Sequence, residues 1–368
     1  MSRIQISGGL YACLLFCQLS TTAVLLLPAP LINVAGQEAW LAVITGALLG
    51  LVPTLLGVYV CTRHPGQEPA QIARTVLGKW LGGLVSFVYA VFALFIFSLV
   101  MRDLYDFLNG VLLSRTPGLV LVAGMGAVVL YGIWTGLEPP ARVSFQVVVA
   151  LVAGVGMMEL LCIREYSLLQ REPFLFRGVG SVLRATPLPG SWFGEGLFAM
   201  SLVPYLKHPR QAYRWTFIAF AGVTLMIGSV VLNTVLVLGP NLPARLVYPT
   251  FTVSELINLG AAVERLEVLL VIIWTSGIFI MLGIYLLAAS TAVTHSLGLR
   301  HHRVPAAILT VIGVWAVRMW PSGLDLMEYG ISDLRLVIHF SLLFGIPLLL
   351  LAGSLVHGIR QRRRSVSA

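Results

Sequence analysis

Between its charged residues the chain reads as a series of apolar runs: 4 to 37, 39 to 62, 80 to 101, 116 to 137, 143 to 158, 215 to 244, 268 to 299, 304 to 317 and 336 to 359. A hydrocarbon core about 30 Å thick takes about 20 helical residues at about 1.5 Å each, so runs of this length predict membrane-spanning helices. A tenth candidate, 185 to 206, is interrupted by Glu195, which stands between Gly194 and Gly196 and among Pro187, Pro189 and Pro204. The long unbroken runs lack the ten-residue alternation of barrel strands. The pattern therefore predicts an all-α integral membrane protein of ten transmembrane helices, five before residue 165 and five after 185. It would form one permease-like domain over 1–368, with pseudo-repeats at about 4–164 and 185–359 and a basic tail over 360–368.

Composition sharpens this picture by exclusion. Only 11% of the 368 residues are charged and 58% are hydrophobic. Soluble domains carry about 25% charge, so the bilayer must be the solvent for most of the surface. With the N-terminus inside, 14 of the 24 basic residues, among them Arg63, Arg74, Lys79, Lys207, Arg210, Arg214, Arg300, Arg303 and the Arg362-Arg363-Arg364 cluster, fall on the cytoplasmic side, and nine, such as Arg102, Arg115 and Arg335, fall outside. Glu38, Asp103, Asp106, Glu165, Glu172, Glu255, Asp325, Glu328 and Asp333 fall outside. The basic bias predicts that both termini are cytoplasmic. Trp40, Trp80, Trp134, Trp215 and Trp320 fall at helix ends, as an interfacial belt requires, whereas Trp274 lies roughly 15 Å into the eighth span and should line the interior. The first run could be a signal peptide, but its length and the nine spans behind it predict a retained helix. The net charge of +9 is spread over loops and peaks at 362–364, directly after the last span, so it points to anionic lipid rather than nucleic acid.

Enzyme chemistry and metal binding find no pattern to rest on. Cys13, Cys17, Cys61 and Cys162 form no Cys-x-x-Cys, and His301-His302 has no carboxylate nearby to complete a metal site. There is no phosphate-binding loop, dinucleotide fingerprint, nucleophile elbow or His-Glu-x-x-His. No cofactor and no catalytic residue is expected.

The informative positions are those where a membrane helix breaks its own rules. The first run carries Gln18, Ser20, Thr21 and Thr22 near its middle and Pro28 and Pro30 beyond; the sixth span carries Gly190, Gly194, Glu195 and Gly196 between prolines. Interrupted segments at corresponding places in two five-helix halves point to a five-plus-five inverted-repeat architecture, with helices 1 and 6 discontinuous and a ligand between them. Clustered Ser, Thr, Gly and Pro also serve simple helix packing. An ionised Glu195 inside a span costs at least about 2.5 kcal/mol unless it faces a polar cavity, so it is either a ligand or proton partner or a carboxyl bonded across the helix break. Glu159 falls near the outer end of the fifth span and should be interfacial. Glu264, Arg265 and Glu267 should form a local ion network at the start of the eighth.

A set of short motifs then carries a resemblance over nearly the whole chain. These are Leu26-Leu27-Pro28, Leu77-Gly78-Lys79-Trp80, Arg102 with Leu112-Leu113-Ser114-Arg115-Thr116-Pro117, Gly136-Leu137-Glu138 with Ala141-Arg142, Gly194-Glu195 with Pro204, Tyr248-Pro249-Thr250, and Glu264-Arg265-Leu266-Glu267 with Trp274. In order and spacing the chain resembles the B subunits of Ger-type spore germinant receptors, the spore-permease family of the amino acid-polyamine-organocation superfamily. The resemblance implies a nutrient-sensing subunit in the bacterial spore inner membrane. It would bind a small germinant, typically an amino acid such as L-alanine, and work with an A-type subunit and a C-type lipoprotein subunit. It implies a ligand region at Gln18, Ser20, Thr21 and Thr22, with the first-helix break at Thr21 and Thr22, a wall at Phe92 and Ile96, the second break at Gly194, Glu195 and Gly196, and a further wall at Trp274 and Thr275. Many relatives have glycines where this chain has Ser20-Thr21-Thr22-Ala23, and the fifth span lacks the lysine that some proton-coupled relatives use. A proton- or sodium-coupled amino acid transporter is the alternative, and a water or ion conduit a third.

Overall fold

The computed structural model describes residues 5–166, 175–256, 266–320 and 333–366. Helices account for nearly all of it: α1 (Gly8–Leu26), α2 (Pro28–Ala35), α3 (Ala39–Arg63), α4 (Pro69–Leu77), α5 (Lys79–Phe107), α6 (Gly118–Trp134), α7 (Glu138–Cys162), α8 (Gly178–Ala185), α9 (Pro187–Gly194), α10 (Ala212–Leu238), α11 (Pro249–Glu255), α12 (Leu266–Leu297), α13 (Arg303–Ala316) and α14 (Asp333–Val366). Among the described residues seven helical stretches are long and apolar enough to cross a membrane, and α6 and α13 are shorter apolar helices. The sixth predicted span is not one helix: α8 and α9 are followed by a 3₁₀ segment over Glu195–Ser201 and another over Val203–Tyr205.

α1 lies at the centre, buried over most of its circumference, as expected of a helix apolar on every face. α7, α10 and α12 pack around it, α12 runs along α5, and α3 lies along α9 and the 3₁₀ segment. The last contact is unusually close because α3 presents a stripe of glycines. A Cβ on Gly50 would lie 2.5 Å from the backbone nitrogen of Gly194, and one on Gly57 would lie 2.6 Å from Met200. Without a hydrophobic driving force between helices in lipid, such close approach gives the van der Waals contact that holds them together.

Outside the long helices, local chemistry fixes the shorter pieces. α4 starts at a capping box, with Pro69 in the first turn and the Glu68 backbone N–H donating to Gln71 Oε1 at 3.0 Å. The Glu68 carboxylate also accepts from Tyr205 Oη at 3.1 Å and pairs with His295 at 3.0 Å, joining α4 to the end of α12 and to the chain beyond the break. Ile6, just before α1, exchanges backbone hydrogen bonds with the same stretch: its N–H donates to the Tyr205 carbonyl at 2.8 Å, and its carbonyl accepts from Lys207 N–H at 3.2 Å.

The first-helix break differs from expectation in position. α1 runs unbroken through Ser20, Thr21, Thr22 and Ala23, and the interruption falls at Leu27–Pro28. The reason is in the backbone donors: residues 20–23 all have N–H groups, and Thr21 Oγ1 donates back to the Cys17 carbonyl at 2.8 Å, an arrangement compatible with a helix interior. Pro28 and Pro30 have no N–H, so the ladder ends there. The Val24 carbonyl that Pro28 leaves without a helical partner accepts from Thr250 Oγ1 at 2.7 Å.

Candidate functional site

The sixth segment comes apart for reasons its sequence contains. Pro187 occupies the first turn of α9, where a missing N–H costs nothing, while Pro204 downstream disfavours continued α-helix in the residue before it. Glu195 begins the tighter 3₁₀ winding, and Gln18 Nε2 of α1 donates to its carbonyl at 2.7 Å. Gly194 and Gly196 face outward from this joint: a Cβ on Gly194 would run into Leu343 of α14, and one on Gly196 would lie 2.5 Å from Thr54 Oγ1 of α3. These glycines let the unwound segment lie flat between two helices.

Glu195 is 6% exposed, far below what a free carboxylate takes. Its Oε2 accepts a short hydrogen bond from Tyr285 Oη of α12. Its Oε1 lies 3.7 Å from Nε2 of His339 in α14. Phe198 packs between Tyr89, Phe92 and Tyr285, and Phe92 meets His339 edge-on with ring centroids 5.1 Å apart. Gln18 Oε1, Ser20 Oγ and His339 Nε2 are buried with no hydrogen-bond partner among the described residues.

A second group of contacts lies along α1 nearer its break. Trp274 Nε1 donates a short hydrogen bond to the Thr21 carbonyl, Thr21 Oγ1 contacts Met281 Sδ at 3.3 Å, and Trp192 Nε1 donates to Thr22 Oγ1 at 3.3 Å. Trp274 is 4% exposed and packs against Phe107, which also meets Tyr248 and Phe251. A small apolar cavity of about 40 Å³ opens beside Trp274, bounded by Val24, Leu151, Met158, Thr250 and Leu270.

Gln18, Thr21, Thr22, Phe92, Glu195 and Trp274 are thus tied directly or through one neighbour into a single buried assembly. Ile96 is buried one turn beyond Phe92, and Thr275 is half-buried with its Oγ1 lacking a partner among the described residues. Glu159 is half-buried near the end of α7. Glu264 and Arg265, and the side chain of Glu267, lie outside the described residues. Cys17, Cys61 and Cys162 are buried and all four cysteines are free. No cluster of three metal-ligating residues occurs among the described residues.

Sequence reasoning missed Tyr285 and His339. His339 had a usable signal, as a histidine inside the first turn of an uncharged run while the other six lie in or beside loops. Tyr285 had none, since a tyrosine in a membrane helix is unremarkable until its partner is known.

The family described as spore germination protein, the spore permeases, matches this chain over residues 5–321. Among curated proteins the chain is similar to spore germination protein KB of Bacillus subtilis (strain 168), 25% identical over 332 residues that cover 87% of this chain and 88% of that protein. It is also similar to spore germination protein YndE of the same organism, 25% identical over 264 residues covering 70% and 71%. Spore germination protein XB of Bacillus anthracis is 22% identical over 266 residues, covering 69% and 71%. Among solved structures it is similar to Mhp1, a nucleobase-cation-symport-1 family transporter in a closed conformation with bromovinylhydantoin bound. The TM-score there is 0.70 at 12% identity, over 100% of this chain and 94% of that one. At that identity the likeness is one of fold; together with the family match and the seven long apolar helices among the described residues, it describes a multi-pass membrane protein with a transporter-like fold.

Proposed function

From the membership of this chain in the spore permease family of spore germination proteins, we propose that it is the nutrient-sensing membrane subunit of a germinant receptor. It binds a small germinant, with an amino acid such as L-alanine as the favoured class, and passes the signal to A-type and C-type lipoprotein subunits. In this reading it lies in the spore inner membrane as ten spans in a five-plus-five inverted repeat, both termini cytoplasmic. The observation that carries the reading is the meeting of the first and sixth segments at Gln18 and Glu195, where Gln18 Oε1, Ser20 Oγ and His339 Nε2 are buried without partners among the described residues. Buried polar atoms are almost always satisfied, so their convergence at a helix break supports a polar ligand.

Sensing requires that the ligand favour one conformation of the complex over another. Moving an equilibrium from 1:99 to 99:1 takes a differential affinity of about 5.5 kcal/mol, and hydrogen bonds to charged groups contribute about 1.5–3 kcal/mol each. Two or three bonds made in only one state suffice. The test compares spores carrying Glu195→Gln or Glu159→Gln in the intact receptor. Loss of nutrient-triggered germination with the first and not the second supports the reading; equal, mild effects would leave Glu195 a structural residue and remove its main support.

The transporter-like fold favours one second reading, coupled uptake of amino acids. Accumulation of labelled amino acid in proteoliposomes containing this chain alone, driven by an imposed proton or sodium gradient, would establish transport in place of sensing.

A further inference from the structure

We infer that the turn joining α3 to α5, with α4 in it, is a latch. Glu68 clasps the end of the interrupted sixth segment to the end of α12, and its release frees α4, that segment end and the α12 end together. It acts at Tyr205, past the unwound stretch, and stands apart from whatever the joint at Glu195 binds.

Elements far apart in the chain meet there on one buried carboxylate. Glu68 Oε1 accepts from the Tyr205 hydroxyl at 3.1 Å, and Oε2 pairs with His295 Nε2 at 3.0 Å. Tyr205 ends the 3₁₀ segment over Val203–Tyr205, and His295 lies in the last turn of α12. Arg74 of α4 adds a second hold on the same place, donating from Nη1 to the His295 carbonyl at 2.6 Å. The stretch before α1 hangs on the other side of Tyr205, through the Ile6 N–H on its carbonyl. On the near side of the turn His64 bonds Ser354 of α14. A buried carboxylate is stable only while it is paired and hydrogen-bonded, so the partners of Glu68 hold or leave as a set.

The turn is built to move as a piece. Gly66 and Gly78, at φ 76° and 82°, flank α4 in the left-handed region that glycine adopts freely. A Cβ on Gly78 would meet nothing within 4 Å, so this glycine serves the bend rather than a contact. Hinges are a few such residues at element ends. When seated, α4 lies close on both neighbours: a Cβ on Gly82 of α5 would run into the Ala73 carbonyl, and one on Gly353 of α14 would lie 2.7 Å from Leu77 Cδ2. A swing about the two glycines withdraws Glu68 from Tyr205 and His295 in one motion. The 3₁₀ stretch between Glu195 and Tyr205 links the joint to this clasp, so a shift at the one is delivered to the other.

The experiment is backbone hydrogen exchange, read by mass spectrometry on the full chain in lipid nanodiscs with no ligand added. Tyr205→Phe and His295→Phe each remove one partner of Glu68. A hydrogen bond to a charged group shifts an equilibrium by about ten- to a hundredfold, and exchange follows the open population when reclosing is fast. The decisive readings are the distant ones. His295→Phe should speed exchange at Ile6 and Lys207 by about tenfold or more, and Tyr205→Phe should do the same at Gly298 and Leu299, whose N–H groups bond the last turn of α12. Both should speed exchange within α4 and leave α7 at its wild-type rate. His295→Gln, which keeps an N–H for Glu68, should stay near wild type, as should Thr75→Val on the exposed side of α4. Glu68→Gln, which removes the charge and keeps an acceptor for the α4 cap, should accelerate the same distant sites and serves if a phenylalanine variant fails to fold. Acceleration confined to the substituted element, equal acceleration through α7, or unchanged exchange at the distant sites would overturn the latch.

Discussion

Replacing Gly50 by alanine tests the contact on which the position of Glu195 depends. The added Cβ would lie 2.5 Å from Gly194 N, 2.5 Å from Phe193 Cβ and 2.6 Å from Phe193 C. Ordinary contacts between such atoms begin near 3.5 Å, so α3 and the end of α9 must separate by about 1 Å, and two of the three atoms belong to parts that cannot swing aside as a flexible side-chain tip can. Overpacking of this kind costs about 1–3 kcal/mol, or about 5- to 150-fold in the folding equilibrium. The separation is felt at Glu195 because α9 ends at the residue before it. Gly83→Ala is the matched control: it is also a helix interior, but a Cβ there meets nothing within 4 Å. Thermal unfolding of both variants in nanodiscs should show Gly50→Ala melting several degrees below wild type and Gly83→Ala at or above it, since alanine gains about 1 kcal/mol over glycine in a helix. Equal melting temperatures would refute the idea that this glycine holds the broken segment against α3.

Two further outcomes follow from contacts outside the joint. Thr250→Val keeps shape but withdraws the hydroxyl from the Val24 carbonyl that Pro28 leaves exposed, and should lower stability by about 1–3 kcal/mol, read from unfolding in nanodiscs; Thr252→Val, two residues on and half-buried, loses only a long 3.4 Å bond to the Tyr248 carbonyl within the same turn and should cost less. His64, which bonds Ser354 Oγ of α14 at 2.9 Å, has its pKa lowered from the ordinary 6.5 by burial first and then by His357 and Arg63. Its neutral ring is favoured in the folded state, so unfolding takes up a proton below 6.5, and stability should fall as the pH drops from 6.5 through the lowered value. His64→Gln should flatten that part of the stability profile; an unchanged profile would assign the dependence elsewhere.

The seven long apolar helices were legible in the sequence because lipid forbids charge over about 20 residues, and apolar runs record that rule directly. The sixth segment was legible for the opposite reason, since Glu195 between glycines and prolines violates it. Trp274 could be placed in the interior by counting depth. The first break was misplaced at Thr21 and Thr22 because hydroxyl side chains suggest a polar opening, whereas the ladder fails only where a donor is missing, at Pro28. Tyr285 and His339 stayed hidden because their importance lies in pairing with Glu195 across 90 residues and more of sequence. Such pairings come from how α12 and α14 pack, which a period along one helix does not encode.

The backbone exchange at Ile6 has a practical consequence for anyone handling this protein. Two hydrogen bonds to Tyr205 and Lys207 fasten the stretch before α1 to the chain just past the unwound segment. The amino terminus is therefore a poor place for an affinity tag, a fluorophore or a trimmed boundary. A bulky fusion abutting Ile6 would tug on the two interrupted elements at once, and an insert with this end left unencumbered is the better instrument for every measurement described above.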